Sequence, residues 1–410
     1  MRAVKQGGNT IKNKTMIMSA VAILLLIFGI SFSVIWFVNK SDHAVSTKET
    51  HETNARSISA ENNSTQSEED VTVENQEKRI QELLDSMSLE EKVGQLFLAR
   101  VPIEGQQESI QANHLGGYIL FGRDIEGESP ASLKQKIASY QSVSKLPLFI
   151  ASDEEGGLVT RLSGGNGLVA EPFKSPMEIY QQSGLNGIRS DIQKKSEILR
   201  SYGIQGGLFP DADVATDPEA FIYDRTLGLD AKKTSEYIKI SVEELKKQKI
   251  ASTLKHFPGY GDNRDSHVEI VYDNRSLDTL RQNDFLPFKA GITAGADSIM
   301  ISHNIVTSID DTVPASISKP VHDVLRNELG FQGVIMTDDM DMAGLANFIS
   351  QEEAGLEALI AGNDMILSSS FQEQIPYVLQ GIEQGAYSEA ELNQSVYRVL
   401  KMKSDLGLLQ

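Results

Sequence analysis

Leu254-Lys255-His256-Phe257-Pro258-Gly259-Tyr260-Gly261-Asp262-Asn263-Arg264-Asp265-Ser266-His267 is the stretch from which the fold is read. A β-prone run over 250–254 feeds directly into a Lys-His pair, then into a loop rich in glycine and proline that ends on Asp265 and His267. Polar side chains gathered where a strand gives way to a loop are how a rigid scaffold surrounds a small ligand. A solvated turn would account for one histidine. It does not account for so many ionisable residues packed around Pro258, Gly259 and Gly261.

The same alternation extends in both directions. Short apolar runs lie at 95–99, 117–121, 148–152, 206–209, 251–254, 298–301, 334–337 and 365–367, with helical stretches such as 234–248 and 277–294 between them. An amphipathic helix through Ile80, Leu83, Leu84 and Met87 opens the globular part, and Ser88 with Glu91 reads as the capping box of the next helix. Strand-helix alternation of this kind predicts an α/β protein built as a (β/α)8 TIM-type barrel. A doubly wound open sheet is the alternative, but no Gly-rich phosphate turn supports it. A barrel places its chemistry just after the strands. Asp153 and Glu155 follow the third run, Asp211 and Asp213 the fourth, Lys255 and His256 the fifth, His303 the sixth, and Asp338 and Asp339 the seventh.

Composition narrows the function. The chain has 410 residues, 40% of them hydrophobic, which suffices for a substantial core. A formal net charge of −19 argues against a nucleic-acid partner, and the absence of cysteine excludes disulfides and thiolate catalysis. Residues 16–38 form an uncharged apolar run, close to the ~20 residues that cross a bilayer as a helix. Arg2, Lys5, Lys12 and Lys14 precede it, which keeps residues 1–15 cytoplasmic. No small-x-small site directly follows Val38, so an uncleaved single-pass signal anchor is expected over a cleaved signal peptide. Residues 39–76 are Ser, Thr, Asn, Glu and Asp with scarcely an apolar cluster, and read as a disordered linker. The catalytic barrel is expected over 77–410, outside the cell.

The segment from Lys255 to His267 resembles the Lys-His-Phe-Pro-Gly-His-Gly…Asp-Ser-His loop of the β-N-acetylglucosaminidase branch of glycoside hydrolase family 3. Tyr260 stands where a histidine is common in that branch, and the loop from Gly261 to Asp265 is one residue shorter. A second stretch, Gly333-Val334-Ile335-Met336-Thr337-Asp338-Asp339-Met340-Asp341-Met342-Ala343-Gly344, resembles the family's nucleophile segment. That match makes Asp338 the nucleophile, and a carboxylate at a strand end is rigidly aimed, as covalent attack requires. Asp339 is an adjacent acid whose side chain should point elsewhere. Without the other motifs, both would read as helix N-terminal acids.

Retaining glycosidases usually pair two carboxylates. The resemblance implies instead that His267 is the acid/base and Asp265 orients it. Imidazole, with a pKa of ~6.5 when unperturbed, gives and takes protons near neutrality. Glu155 is the first substitute should His267 fail. Ser152-Asp153-Glu154-Glu155-Gly156-Gly157-Leu158-Val159-Thr160-Arg161 resembles a sugar-binding segment, with Glu154 in place of the usual glutamine. Asp224-Arg225-Thr226-Leu227-Gly228 resembles the family's Arg-Ser-Phe-Gly turn. These matches imply that Asp153, Arg161, Arg225, Lys255 and His256 bind the non-reducing sugar. Arg161 and Arg225 taken singly would read as surface ion pairs. A metal site from His256, His267 and His303 lacks a close helical pair, so no metal and no cofactor are expected.

The implied function is a retaining exo-β-N-acetylglucosaminidase of the single-domain type, acting on peptidoglycan-derived or related glycans. The chain ends soon after Arg398-Val399-Leu400-Lys401, so the second α/β domain of larger family members is expected to be absent. A β-glucosidase and a β-GlcNAc phosphorylase are the enzymatic alternatives. A membrane-tethered module that binds wall glycan without turnover is the non-enzymatic one.

Overall fold

Strands buried on both faces read as continuous apolar runs rather than alternating ones, and the computed structural model, which describes residues 73–409 apart from Asn166, places the runs accordingly. In chain order the strands are β1 (Phe97–Arg100), β2 (Gly117–Leu120), β3 (Phe149–Ser152), β4 (Glu154–Gly156), β5 (Val159–Thr160), β6 (Thr253–Phe257), β7 (Tyr272–Asp273), β8 (Ser298–Ile301), β9 (Ile305–Val306), β10 (Val334–Thr337) and β11 (Ile366–Ser368). β11, β1, β2 and β3 pair in parallel, as do β6, β8 and β10. Gly206 bridges Ala151 to Ala251 on one side, and Met336 bridges Met365 on the other, closing the ring. The architecture is the expected TIM-type α/β barrel.

Its fourth stave is the weakest. A Cβ at Gly206 would lie 2.4 Å from the ring of Phe149, so only glycine fits there. Leu208, at φ 46°, and Pro210 then break the extended run before it can form a ladder. The expected strand at 206–209 is therefore a pair of single bridges.

Two further expectations are corrected. Lys255 and His256 do not follow the fifth strand; they lie within β6. The pairing of β6 with β8 slips between Leu254 and Phe257, which frees the two residues from strict alternation. Phe257 then pins β6 to the helix Phe285–Ala294, stacking on Phe285 at 5.5 Å and meeting Phe288 edge-on at 5.2 Å. Burying such a ring contributes about 1.5–3 kcal/mol. The single helix expected over 277–294 is two helices, Leu277–Gln282 and Phe285–Ala294. Pro287 has no N–H to return to residue 283, and Asn283 leaves helical geometry at φ −125°, ψ −75°.

The capping box is present: Glu91 N–H donates to Ser88 Oγ (3.3 Å) and Ser88 N–H to Glu91 Oε2 (3.0 Å), opening the helix Leu89–Gln95. The preceding helix spans 73–86, so the last four positions assigned to the linker are helical. Gln76 Nε2 fastens that first turn to Ser404 Oγ (2.9 Å) and Asp405 Oδ1 (2.8 Å). The membrane helix expected over 16–38 and the linker over 39–72 lie outside the described residues. Among the described residues, no helix is long and apolar enough to cross a membrane.

Candidate active site

The strand ends bring six of the expected residues onto one charged lattice. Glu155, in β4 just beyond β3, accepts two hydrogen bonds from Arg225 (Nη2 2.8 Å, Nε 3.1 Å) and lies 2.6 Å from Lys255 Nζ. Lys255 also donates to Asp153 (3.0 Å), whose other oxygen accepts from Arg161 (3.0 Å). Burial works against the charge of Glu155, yet the attraction of Arg225 and then Lys255 holds its carboxyl well below the usual carboxylate range. Lys255 is raised in turn, because Glu155 and Asp153 outweigh its burial. Glu155 is thus a fixed anion with both oxygens occupied, and it does not suit the role of a substitute proton donor.

His256 completes the lattice in a defined tautomer. Arginine has donors only, so the 3.1 Å contact with Arg225 Nη2 makes Nε2 of His256 the acceptor. Its Nδ1–H then donates to Asp213 Oδ2 at 2.7 Å. Burial, with repulsion from Arg225 second, lowers the imidazole to about 4, so it is neutral at pH 7. Asp213 also accepts from the N–H of His256 (3.2 Å) and of Tyr260 (2.7 Å), and burial pushes it up to about 6.

Asp211, Asp213 and His256 place metal-ligand atoms within 4.8 Å of one another. Both His256 nitrogens are already engaged and Arg225 sits against the ring, and Asp211 Oδ1 accepts from the N–H of Asp213 at 2.8 Å, so the trio reads as a hydrogen-bonded support for His256. Asp211 is raised by burial and then by the charge of Asp213. His303 also uses both nitrogens, on Ser316 Oγ (2.7 Å) and the carbonyl of Asp339 (2.9 Å), which removes the three-histidine metal site.

Asp338 follows β10 and differs from every acid in the lattice. Its Oδ1 accepts from the N–H of Asp339 (2.8 Å), while its buried Oδ2 has no hydrogen-bond partner among the described residues. Burial opposes ionisation; the fields of His256, His303 and His267, with the Asp339 N–H, still hold the carboxyl below its ordinary range. Burial lowers His256 to about 4 and lowers His303 as well, so the backbone N–H of Asp339 is a support that does not depend on either ring's charge. Asp339 points away, as expected, and its Oδ2 accepts from both Nε and Nη2 of Arg100. Arg100, packed 4.6 Å over Phe121, carries no motif and was not foreseen.

His267 sits apart on its loop. Asp265 Oδ1 accepts from its Nδ1 (2.6 Å) and from its backbone N–H (2.9 Å), and the imidazole is half-exposed. The ring of Phe221 lies 6.0 Å away, and the carbonyl of His267 accepts from Ala343 N–H (3.3 Å), in the segment that follows Asp338. With Nδ1 engaged, Nε2 is the nitrogen left for proton transfer. Glu154, buried, ties its hairpin together by accepting from Ser152 Oγ (2.8 Å), Thr160 Oγ1 (2.7 Å) and Leu162 N–H (2.9 Å). A hollow of about 1600 Å³ lies at the opposite end of the barrel near Asp297, Gly333 and Tyr397, and gathers no comparable set of reactive groups.

A family model described as the glycosyl hydrolase family 3 N-terminal domain matches residues 88–402. A curated beta-hexosaminidase of Nitrosomonas eutropha is 32% identical over 268 residues, which cover 64% of this chain and 76% of that protein. Among solved structures, a family 3 beta-N-acetylglucosaminidase from Paenibacillus sp. superposes with a TM-score of 0.74 at 28% identity, over 79% of this chain and 63% of that one. A beta-N-acetylhexosaminidase from Beutenbergia cavernae superposes with a TM-score of 0.68 at 26% identity, over 78% of this chain and 99% of that one. The chain thus spans less than two thirds of the Paenibacillus enzyme and nearly all of the Beutenbergia one.

Proposed function

From the premise that the chain belongs to glycosyl hydrolase family 3 and is a glycoside hydrolase, we propose that it is a retaining exo-β-N-acetylglucosaminidase. Its substrate on this reading is terminal non-reducing GlcNAc on peptidoglycan-derived glycans. The observation that carries it is the contrast between Asp338, buried with an unclaimed oxygen, and His267, half-exposed with Nδ1 held by Asp265. Asp338 Oδ2 attacks the anomeric carbon while the His267 imidazolium gives its Nε2 proton to the departing oxygen. The neutral imidazole then takes a proton from water, which displaces Asp338 and restores the starting state. Asp265 stabilises the imidazolium and fixes its tautomer. Asp153, Arg161, Arg225, Lys255 and His256 hold the sugar; the buried Nε of Arg161 has no partner among the described residues and is a donor available to a hydroxyl.

The test is a series of β-GlcNAc substrates graded by leaving group, assayed with the full chain. His267→Ala should lose about 10²–10⁴-fold on chitobiose and far less on the dinitrophenyl glycoside, where glycosyl-enzyme should accumulate. Equal losses across the series would remove His267 from the role. Preference for aryl β-glucoside would reassign the enzyme, and GlcNAc-1-phosphate formed in added phosphate would make it a phosphorylase. The anchor proposed at 16–38 is tested by protease on intact cells, which should release active barrel. Activity confined to the cytosolic fraction would refute it.

A further inference from the structure

Tyr260 is fully buried at the junction of two loops that carry site residues. Its N–H donates to Asp213, the same carboxylate that fixes His256. Its ring meets His256 edge-on at 5.4 Å and Phe221 at 5.7 Å, and it belongs to a small apolar cluster with Ala215 and Ile222, separate from the main core. Its hydroxyl is hydrogen-bonded to Ser266 Oγ and accepts from Ser266 N–H at 3.2 Å. Ser266 lies between Asp265 and His267, and its carbonyl accepts from Gly344 N–H at 3.1 Å. A Cβ on Gly344 would come within 2.6 Å of that carbonyl, so the close approach needs glycine. Ser266 is therefore fastened from below by a phenol and from above by the segment that follows Asp338.

We propose that the Tyr260 hydroxyl is a positioning latch: through Ser266 it holds the half-exposed His267 loop in register with Asp338. The catalytic part of this proposal rests on His267 being the acid/base; the mechanical part does not. The loop, one residue shorter than in the branch it resembles, closes back on a tyrosine where that branch commonly has histidine. At its tip the loop reaches solvent, where Arg264 is exposed and pairs with Glu269 at the surface (3.0 Å). Burial keeps the phenol protonated, so it bonds Ser266 across the working pH range.

The experiment uses the full-length chain with Tyr260→Phe, Ser266→Ala and the double variant. Loss of the hydroxyl should speed tryptic cleavage after Arg264 about 5-fold or more, the opening expected when its hydrogen bonds to Ser266 are lost. Turnover of chitobiose should fall about 10-fold, while glycosylation by the dinitrophenyl glycoside stays within about 2-fold, because that step needs no proton. The double variant should be no slower than Tyr260→Phe, since both hydrogen bonds between the two residues end on the Tyr260 hydroxyl. Unchanged cleavage after Arg264 overturns the latch. Equal slowing on both substrates overturns it as a positioning device and leaves Tyr260 a structural residue. His267→Ala, run in the same series, separates the two ideas: without leaving-group dependence there, the acid/base reading fails, while the cleavage arm still decides the latch.

Discussion

Two of the buried lysines in this barrel, Lys255 and Lys403, meet opposite fates. Lys255, in β6 at the mouth, is 2% exposed and lies against Glu155 and Asp153; its carboxylate partners outweigh burial and raise its pKa. Lys403, in the helix Glu389–Asp405 at the base, is also inaccessible, but its Nζ meets Gln95 Oε1 at 2.7 Å and no carboxylate within salt-bridge reach among the described residues. Burial lowers it to about 7. Equal burial with unequal partners shows that position in the barrel does not decide whether a cation survives; the neighbouring anions do. The mouth keeps charge where a sugar is to be bound, and the base tolerates a lysine that gives its charge up.

The largest effect should come from Asp338, a mouth acid outside this pairing. Asp338→Ala should lower turnover by about 10⁴-fold or more on every leaving group, the scale of losing a nucleophile. Its thermal midpoint should stay level or rise, because the change removes a buried oxygen with no partner. A variant that lost stability along with activity would place Asp338 inside the lattice and blur the contrast.

Lys255→Met attacks the lattice directly. It leaves Glu155 with Arg225 alone and Asp153 with Arg161 alone. Removing one partner from a buried ion cluster costs about 3–5 kcal/mol, read as a drop in the urea midpoint at unchanged slope. A loss under about 1 kcal/mol would mean the lattice is solvated like a surface pair.

Much of this was legible in advance, for reasons tied to particular residues. The staves were readable because parallel strands buried on both faces are uninterrupted apolar runs, and the capping box at Ser88 and Glu91 is a strictly local signal. The pairings at the mouth were not. Glu155 meets Arg225 across 70 positions, and nothing near either residue announces the other. Taken alone, Arg225 read as a surface ion pair; it does form an ion pair, but a buried one beneath the expected sugar site. Asp213 was visible only as an acid after a strand, because its partners His256 and Tyr260 arrive from the next stave. Tyr260 stands out in the sequence only as the residue where the branch commonly has histidine, and its partner Ser266 lies only six positions on. That contact depends on how the loop closes, which turn composition does not specify.

The smallest effect sharpens the comparison from the other end, by removing the lone cation. Lys403 has a pKa of about 7 folded and ~10.4 in an unfolded chain, so between those values the unfolded state binds more protons. Stability contributed by this group therefore rises with pH across that window, by about 1.4 kcal/mol per unit, and is flat below it. Lys255, raised on folding, has the opposite sign: its contribution is complete below the unfolded value and is lost only as pH rises through the folded one. Lys403→Met keeps the length and apolar stem of the side chain and gives up only the ammonium and its contact with Gln95. The variant should be more stable than the parent at pH 6, and its advantage should shrink by about 2–3 kcal/mol by pH 9. Urea melts of both proteins at each pH give the difference, in which titrations shared by the two chains cancel. A constant advantage over that range would mean that Lys403 stays charged in the fold, held by water or by a partner that Gln95 alone does not supply.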